Sequence, residues 1–562
     1  MSQHLEDQSQ VLPRNKLFIT LSCLTTSLFV SFFDQTAVTT AIPSIASDLN
    51  SAGLITSWIG TSYLITNTNF QLLYGRFSDI FGRKQVFLFT LGCLLVGNFV
   101  SGFSQNPIML FVFRGISGIG GGGINCLVMI TFSDLLTTRQ RGKYFGFVAV
   151  STSLGNGVGP LIGGALSQKA SWRWVFWISC PICVAAGVLV ILFVPLKPVT
   201  SRFQDKLKII DWYGFLFSTI STILLLVAIS GGGQQWKWNS PTFIVLIVIS
   251  GISSILFFYC EGWRAEIPMI PLTLFRNIHS SLLFTMCLLM GWCYFVDIYY
   301  FPIYLQDIRG WSPIIAGVIQ LPATCSSSIF GVLAGYINSK TGHYVRCLWF
   351  GGVMWAIGTG LKILFARNSN IGLLVGSNLI QGLGIGFTFQ PTLLALLSHT
   401  DSKDRAIVTG LRNFFRCFGG AIGLIVSGII FKTILQNQIT KKLNNNYELV
   451  QKIMDNFATV KDLDIQVKDV VLDSYLYSFK IIMITLTVMS GFMFALSLFT
   501  KDGSDEDDQK EPNHDNDEND IAVKEYSSVD EEANNNNASS VEKFSSKEII
   551  EIVSIEEKSK AV

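Results

Sequence analysis

The chain has 562 residues, of which 49% are hydrophobic and only 14% carry a charge. A bilayer core penalises charge, and each helical crossing takes roughly 20 apolar residues, so this composition predicts an all-α polytopic membrane protein. The net charge of +2 gives no indication of nucleic-acid binding. The eleven cysteines fall almost wholly inside apolar stretches, where they act as small hydrophobic residues, so no disulfide framework is predicted.

The first fifteen residues are polar and lack both the apolar core and the cleavage site of a signal peptide, so we predict none. Fourteen apolar stretches follow, and each predicts a membrane-spanning helix. Their limits are 17–42, 53–73, 85–103, 107–133, 143–167, 173–195, 210–230, 241–260, 280–304, 313–337, 346–366, 371–398, 405–431 and 477–499. Lysine and arginine concentrate in alternate connecting loops, which stay in the cytoplasm. Both termini are therefore predicted to be cytoplasmic, as an even number of spans requires.

Two charged residues lie inside the early spans. Asp34 lies well within span 1, and Arg114 lies in the outer half of span 4. A charge at this depth persists mainly where it is paired or faces water. Since the two spans run in opposite directions, both charges fall at similar depths and can pair. We predict that they couple transport to protons, with separation of the two loading a proton and their approach releasing it. A pair that only fixes the fold is the alternative.

Residues 75–84 form a run of glycine and charge between spans 2 and 3. The two glycines allow the backbone to turn, and the aspartate can accept from free backbone amides or pair with an arginine. The cations hold the segment on the cytoplasmic side. We predict a short cytoplasmic loop with a gating role. The residues assigned to this gating loop are Gly75, Asp79, Gly82, Arg83 and Lys84.

Small residues recur every fourth position in span 5, from Ser151 to Gly163. This spacing leaves one helix face flat, so that a neighbouring helix can approach closely. The proline in this stretch bends the helix, because it removes a backbone donor. We predict a surface on which helices slide or rock; a purely structural crossing is the alternative. The residues assigned to this antiporter helix are Gly155, Gly159, Pro160, Gly163 and Gly164.

The later spans contain three further charges of interest. Asp297 lies in span 9 among tyrosines, a setting that suits a cationic ligand through charge and cation–π attraction. An ordinary interfacial position, with the tyrosines as an aromatic belt, is the alternative. Arg412 and Arg416 in span 13 are predicted near the cytoplasmic boundary, with side chains that snorkel toward it.

The spans divide into two bundles of six, with spans 7 and 8 as a linker pair. The last part of the chain is acidic, rich in asparagine and nearly free of aromatic residues, which predicts disorder. The predicted domains are a cytoplasmic N-terminal tail (1–16), an N-terminal six-helix bundle (17–195), a linker with two extra transmembrane helices (196–279), a C-terminal six-helix bundle (280–500) that includes a non-cytoplasmic loop (433–475), and a disordered acidic cytoplasmic tail (501–562).

Several of these segments resemble a known family. The order of residues in 75–84 resembles the signature between helices two and three of the major facilitator superfamily, and residues 155–164 resemble its antiporter signature. The surroundings of Asp34 and Arg114 resemble the first-helix and fourth-helix motifs of its fourteen-helix drug:proton antiporters. The overall length and the long polar stretch before span 14 are most similar to the yeast vacuolar basic amino acid transporters.

The resemblance implies a major facilitator fold with 14 transmembrane helices in a 6+2+6 arrangement, and a substrate cavity where the bundles meet. It implies a proton-coupled antiporter that moves lysine, histidine and arginine into the vacuole by alternating access. Proton coupling and the substrate cavity are assigned to Asp34, Arg114 and Asp297. The implied partners are small cationic amino acids, protons and the bilayer of the vacuolar membrane. A monomer is expected. The tail is predicted to be a solvated segment, and a tail that binds regulators is the alternative.

Two other classes stay open. A plasma-membrane multidrug:proton exporter would share every one of these motifs, and a non-transporting nutrient sensor would use the long tail to signal. An enzyme is not predicted, because the sequence shows no pattern typical of a catalytic nucleophile, a metal cluster or a phosphate-binding loop. No cofactor is expected.

Overall fold

The computed structural model describes residues 13–49, 52–136, 138–195, 211–232, 236–264, 268–400, 404–442 and 465–502. In these ranges the chain is almost entirely helical, and fourteen helices have fifteen residues or more. Eleven of the fourteen also have the length and apolar composition of a membrane span. The predicted all-α architecture with fourteen helices is confirmed.

We number the fourteen long helices in chain order. The N-terminal half contains α1 (Arg14–Asp48), α2 (Ala52–Phe81), α3 (Arg83–Ser101), α4 (Pro107–Leu135), α5 (Thr138–Lys169) and α6 (Ser179–Phe193). A five-residue helix, Arg173–Trp177, precedes α6. The linker pair is α7 (Trp212–Gly231) and α8 (Pro241–Tyr259). The C-terminal half contains α9 (Ile278–Ile303), α10 (Pro313–Thr341), α11 (Tyr344–Lys362), α12 (Ile371–Ser398), α13 (Arg405–Lys442) and α14 (Ile465–Ser497).

Side-chain caps and proline set where several helices begin. The Asn106 side chain accepts a hydrogen bond of 2.8 Å from the Met109 backbone N–H, and Pro107 follows as the first residue of α4. Ser312 caps α10 in the same way, again with a proline next. A cap oxygen satisfies a backbone donor that has no partner within the helix, and proline carries no such donor. At the other end of α10, Gly342 has φ of 68°, a left-handed conformation that ends the helix.

Three helices, α2, α5 and α11, are not among the eleven with an apolar span composition. Helix α2 buries a run of amide and hydroxyl side chains between Asn67 and Gln71, and α11 buries Lys362. Polar groups are tolerated at membrane depth where they face the protein interior or a water-filled space. The sequences of α2 and α11 are therefore less apolar, since these polar side chains point inward.

The two halves repeat the same packing. In the N-terminal half α1 packs on α5 and α2 packs on α4, while in the C-terminal half α9 packs on α13 and α10 packs on α12. Between the halves, α5 packs along α10 and α2 packs along α13. Each half thus contributes its second and fifth helices to the interface, as expected for two bundles related by a pseudo-two-fold axis. The linker helices pack on each other, and α7 also contacts α2 and α13.

One end of the molecule is closed by apolar side chains from both halves. A buried cluster joins Tyr74 and Leu127 of the N-terminal half to Leu397 and Ala406 of the C-terminal half. At the opposite end each half has a cluster of its own. Because shared burial of apolar surface stabilises a contact, the halves are held together at the end that carries the α2–α3 junction.

The segment 75–84 differs from its prediction. Helix α2 continues to Phe81 and α3 begins at Arg83, so Gly82 alone separates the two helices. Gly82 has φ of 95°, a backbone conformation that favours glycine, and this one residue makes the turn. The predicted loop is therefore wrong in its extent. Charged residues end an apolar stretch, but they do not prevent the backbone hydrogen bonds of a helix from continuing beyond it.

The polar stretch 433–475 also differs from its prediction, because α13 runs to Lys442 and α14 begins at Ile465. The prediction of a loop is therefore wrong for residues 433–442 and 465–475. Leu435 of α13 and Val471 of α14 belong to one buried apolar cluster, and tertiary packing of this kind stabilises both helix extensions. The middle of the stretch, 443–464, lies outside the described residues. So do most of the predicted N-terminal tail and nearly all of the acidic tail.

Helices α9 and α13 cross with their backbones in close contact. A Cβ atom at Gly291 would lie 1.7 Å from the Arg416 carbonyl oxygen, far too short for a non-bonded contact. We expect Gly291→Ala to lower the thermal midpoint of the purified protein by several degrees, since overpacking costs about 1–3 kcal/mol. Gly251→Ala in α8 is the matched control, because a Cβ there meets nothing within 4 Å. Equal midpoints for the two variants would contradict the described crossing.

Candidate functional site

A cavity lies between the two halves, at the middle of the helices that meet there. It encloses about 920 Å³ of space free of atoms, part of it open to solvent. Helix α5 contributes Thr152, Ser153 and Asn156, and helices α9, α10, α12 and α13 line the other side. The Asn156 side chain donates a hydrogen bond of 2.9 Å to the Tyr294 hydroxyl and so links the two halves. A cavity with convergent polar groups is the natural candidate for a ligand site.

Two arginines of α13 line this cavity without an acidic partner. Arg412 and Arg416 lie one helical turn apart, and they are only 3% and 6% exposed. No ion pair within the described part of the chain includes either guanidinium. Arg412 donates to the Phe389 carbonyl at 2.7 Å, whereas Nε of each arginine has no partner among the described residues. The cavity thus holds two buried cations that a bound anion would neutralise.

The position of these arginines corrects the prediction that they snorkel toward a membrane boundary. Their guanidinium carbons lie 5.9 Å (Arg412) and 5.7 Å (Arg416) from the centre of the Phe389 ring, inside the protein. Helix α13 packs against α2, α9 and α14, and the face that carries the arginines is turned to the cavity. The apolar stretch of span 13 does not distinguish this inward face from a lipid-facing one, so the prediction is wrong.

Asp297 also lines the cavity, but a lysine already neutralises its charge. The Lys362 ammonium of α11 donates to both carboxylate oxygens, at 2.7 and 2.9 Å. The lysine side chain is fully buried, and its Nζ lies 4.4 Å from the centre of the Phe301 ring. The sequence suggested a cationic ligand beside Asp297; in this structure a cation of the protein occupies that place. A cationic ligand would have to compete with Lys362.

A second buried ion pair lies in the N-terminal half, outside the cavity lining. Arg114 of α4 donates to both carboxylate oxygens of Asp34 of α1, at 2.9 and 3.2 Å. Both side chains are at most 2% exposed, and the guanidinium carbon lies 4.5 Å from the centre of the Tyr63 ring. The structure thus brings together the two charges that the sequence places at similar depths.

The two ion pairs occupy corresponding places in the two halves. Asp34 lies in α1 and Asp297 lies in α9, which are the first helices of their halves, at nearly the same distance from the helix start. Each carboxylate binds a cation of its own half. A buried pair of this kind adds little net stability, but it leaves an uncompensated charge if one partner moves or is neutralised. Of the two carboxylates, Asp297 is the one that lines the cavity.

Asp48 is a contrasting carboxylate at the end of α1. It accepts hydrogen bonds from the Trp172 indole at 2.9 Å and from Arg173 at 2.8 Å, and its side chain is 48% exposed. These bonds, first that of Trp172 and then that of Arg173, lower the pKa of Asp48 from its ordinary value. Asp48 therefore stays ionised at neutral pH. It lies outside the cavity lining.

The charged residues at the α2–α3 junction form a compact network. Arg83 contacts Asp79, one turn earlier, at 2.7 Å, and it contacts Asp134 of α4 at 2.9 Å. Lys84 donates to two carbonyl groups at the end of α6, at 2.8 and 3.0 Å. The residues assigned to the gate thus tie four helices of the N-terminal half together. Asp134 is a further member of the network that the sequence analysis did not single out.

Two contacts connect this junction to the rest of the molecule. A Cβ atom at Gly75 would lie 3.2 Å from the Ala406 carbonyl oxygen of α13, so the two helix backbones approach closely there. Arg76 donates a hydrogen bond of 2.9 Å to the Pro268 carbonyl, in the segment that follows the linker pair. A movement that separates the halves at this end has to disrupt the approach of Gly75 to α13.

The glycine face of α5 packs on α1. A Cβ atom at Gly159 would lie 2.1 Å from the Thr36 hydroxyl, and one at Gly163 would lie 2.2 Å from the Ala37 carbonyl oxygen. The other residues assigned to this helix, Gly155, Pro160 and Gly164, lie in the same stretch. The opposite face of α5 packs on α10 of the other half. Helix α5 therefore connects a close contact within one half to the interface between halves.

Two residues of the site region are missing from the sequence analysis. Lys362 is a charge inside span 11, which is the same signal that singled out Asp34, so the sequence does contain the information. Gln381 of α12 lines the cavity and is 1% exposed. A neutral amide in an apolar stretch gives no comparable signal, because many such residues pack within helix bundles.

Comparison with protein families agrees with this architecture. The model of the Major Facilitator Superfamily matches residues 24–424. The chain belongs to this superfamily of membrane transporters, and it is a multi-pass membrane protein.

Individual relatives show the same relationship. The chain is 37% identical over 500 residues to "Citrate exporter 1" of Yarrowia lipolytica, which covers 89% of this chain and 74% of that protein. It is 32% identical over 437 residues to "Efflux pump dotC" of Dothistroma septosporum, covering 78% and 74%. The crystal structure of the human organic anion transporter MFSD10 (TETRAN) matches with a TM-score of 0.55 over 86% of this chain and 100% of that one. At 14% identity this last likeness shows a shared fold alone.

Proposed function

We propose that this chain transports an organic anion with at least two carboxylate groups, by alternating access to the central cavity. The observation that carries the proposal is the pair of buried arginines, Arg412 and Arg416, which line the cavity without an acidic partner among the described residues. A guanidinium can bind a carboxylate through two parallel hydrogen bonds. Two guanidinium groups one helical turn apart suit a substrate with two acidic groups.

The charge of the lining favours an anion over a cation. Lys362 neutralises Asp297, so the two arginines leave the lining with an excess of positive charge. At an effective dielectric constant of about 20, two unit charges about 4 Å apart interact by about 4 kcal/mol. An interaction energy of this size would strengthen the binding of a carboxylate and weaken the binding of an ammonium group. The similarity to a protein named as a citrate exporter supports the same class of substrate.

The proposed cycle assigns separate roles to the other sites. The network around Arg83 and the contact of Gly75 with α13 form the gate at the closed end. The Asp34–Arg114 pair takes up and releases the coupling proton, because both charges are buried and a small separation leaves the carboxylate free to bind one. The glycine face of α5 moves with α1, while the contact of α5 with α10 persists.

The basic amino acids predicted from the sequence are the second candidate. Asp297 is the observation in their favour, since its carboxylate could bind a substrate ammonium in place of Lys362 while Arg416 binds the substrate carboxylate. Lysine or arginine would bring a second positive charge into a lining that already has an excess of it. We therefore rank this substrate class below carboxylates.

Transport by the purified, full-length protein in liposomes tests the proposal. We expect labelled citrate to accumulate in response to an imposed pH gradient, and labelled lysine to accumulate no more than in protein-free liposomes. Unlabelled citrate should compete with labelled citrate, and unlabelled lysine should not. Accumulation of lysine without citrate would overturn the proposal in favour of the second candidate. Accumulation of neither would leave drug export, the alternative that the sequence leaves open, as the class to test.

The membrane that contains the protein provides an independent test. Export of a carboxylate from the cell requires the plasma membrane, whereas import of basic amino acids into the vacuole requires the vacuolar membrane. A fluorescent tag on the chain, imaged with markers of both membranes, separates the two. We expect the plasma membrane. Exclusive labelling of the vacuolar membrane would favour the sequence-based prediction.

A further inference from the structure

A buried amide in the cavity has no hydrogen-bond partner. Gln381 of α12 is 1% exposed, and both its amide nitrogen and its amide oxygen lack a partner in the described structure. The residue lines the same cavity as Arg412 and Arg416. An unpaired polar group at membrane depth is costly, and such groups are retained mainly where they serve a ligand or a water-filled path.

The helices around Gln381 hold its backbone in place. A Cβ atom at Gly358 of α11 would lie 2.5 Å from the Gln381 backbone nitrogen, so α11 and α12 are in contact at this residue. On the other side, a Cβ atom at Gly382 would lie 2.3 Å from the Ala323 carbonyl oxygen of α10. Two close helix crossings therefore fix the backbone that carries the Gln381 side chain. A backbone that is held in place before the ligand arrives lowers the entropic cost of binding at this residue.

The two unpaired atoms require different partners. The amide nitrogen donates hydrogen bonds and the amide oxygen accepts them, while a carboxylate can only accept. A carboxylate can therefore satisfy the nitrogen of Gln381 but not its oxygen. A hydroxyl group can both donate and accept. An ammonium group can donate to the oxygen, but the excess positive charge of Arg412 and Arg416 opposes its entry.

We propose that Gln381 hydrogen-bonds a hydroxyl group of the substrate, so that the cavity selects hydroxylated polycarboxylates over the same carbon skeletons without the hydroxyl. This inference rests on the proposed function, because the carboxylate groups are taken to bind Arg412 and Arg416. Water satisfies the amide while the cavity is empty. A substrate hydroxyl replaces that water with equivalent hydrogen bonds, whereas a C–H group displaces the water and replaces nothing.

Two pairs of matched competitors test the inference with the wild-type protein. Citrate and tricarballylate differ by one hydroxyl, as do malate and succinate. In liposomes that take up labelled citrate, we expect tricarballylate to compete about 5- to 150-fold more weakly than unlabelled citrate, since an unpaired buried group costs about 1–3 kcal/mol. We likewise expect malate to compete with labelled citrate more strongly than succinate does. Equal competition within both pairs would overturn the inference while leaving carboxylate transport in place.

Variants of Gln381 test whether this residue causes the selectivity for hydroxylated substrates. Gln381→Met keeps the length of the side chain and removes both polar atoms. We therefore expect the affinity for citrate to fall and the affinity for tricarballylate to stay the same. The ratio of the two affinities should fall to about one. Gln436→Met is the matched control, because Gln436 is exposed on α13 outside the cavity lining, and the ratio should stay as in the wild type. Gln381→Asn, which keeps both polar atoms on a shorter chain, should give an intermediate ratio.

The outcomes separate the two proposals. An unchanged ratio in Gln381→Met, in protein with the elution profile of the wild type, would overturn the role of Gln381. Absence of carboxylate transport by folded wild-type protein would overturn both this inference and the proposed function. Should Gln381→Met fail to fold, the wild-type ratios and Gln381→Asn still decide the question.

Discussion

Arg416→Gln is expected to abolish carboxylate transport without loss of the fold. Removal of one partner of a buried, charge-assisted contact costs about 2–5 kcal/mol, so we expect transport of labelled citrate to fall at least about 30-fold. Arg412→Gln should have a similar effect. Arg416→Lys keeps the charge but loses the planar two-point geometry, and it should retain partial activity. The measurement is the initial rate of uptake into liposomes at matched protein density.

The thermal stability of Arg416→Gln distinguishes a role of Arg416 in substrate binding from a role in the fold. Arg416 has no ion-pair partner in the described structure, and a buried unpaired cation is a cost to the empty protein. Arg416→Gln should therefore be at least as stable as the wild type in a thermal denaturation experiment. Lys432→Gln is the matched control, since Lys432 is a cation of the same helix outside the cavity lining, and it should transport normally. A large loss of stability in Arg416→Gln would indicate that the residue supports the fold.

Asp34→Asn is expected to uncouple transport from protons. Exchange of labelled for unlabelled substrate at equal pH on both sides needs no net proton movement, so it should persist. Accumulation driven by a pH gradient should be lost, because the amide cannot take up a proton in this range. The two assays use the same liposomes and differ only in the imposed gradient. Asp48→Asn is the matched control on α1, and we expect it to accumulate substrate as the wild type does.

A second variant separates proton coupling from a structural pair. Asp34→Asn leaves Arg114 buried and uncompensated, and breaking a buried pair in this way costs about 3–5 kcal/mol. The double variant Asp34→Asn with Arg114→Gln removes both charges and should recover much of that stability. If the pair only fixes the fold, gradient-driven accumulation should recover with stability. If Asp34 carries the proton, accumulation stays absent in the double variant. Full gradient-driven accumulation by Asp34→Asn alone would reject the coupling role.

The sequence predicts the helical architecture well because the bilayer imposes a strong constraint on composition. All fourteen predicted spans correspond to long helices. Helix ends are predicted less well, since hydropathy reports the apolar core and not the backbone hydrogen bonds. Helix α2 therefore extends through the charged segment to Phe81, and α13 extends to Lys442. In each case side-chain contacts beyond the apolar core stabilise the additional turns.

The candidate site was predictable in part. A lone charge in an apolar stretch is visible in the sequence, which is why Asp34, Arg114 and Asp297 were identified. Its partner is visible only when the three-dimensional packing is known, so the sequence suggested an external cation for Asp297 where the structure has Lys362. The direction in which Arg412 and Arg416 point depends on how α13 is rotated in the bundle. That rotation follows from packing against α2 and α9, which no single segment encodes.

The interface between the halves has two unlike seams, and this difference has a mechanical consequence. The seam between α5 and α10 is packed along its length, for example by Gly157 against Leu321 and by Gly317 against Leu161. The seam between α2 and α13 contains the closed end and is flanked by α7. We expect the α5–α10 seam to stay closed and to act as the axis of rotation, and the α2–α13 seam to widen. The hairpin of α7 and α8, whose lipid side exposes apolar residues such as Ile252 and Ile255, then moves outward with each turnover. The lateral pressure of the surrounding lipid would thereby act directly on the rate of transport.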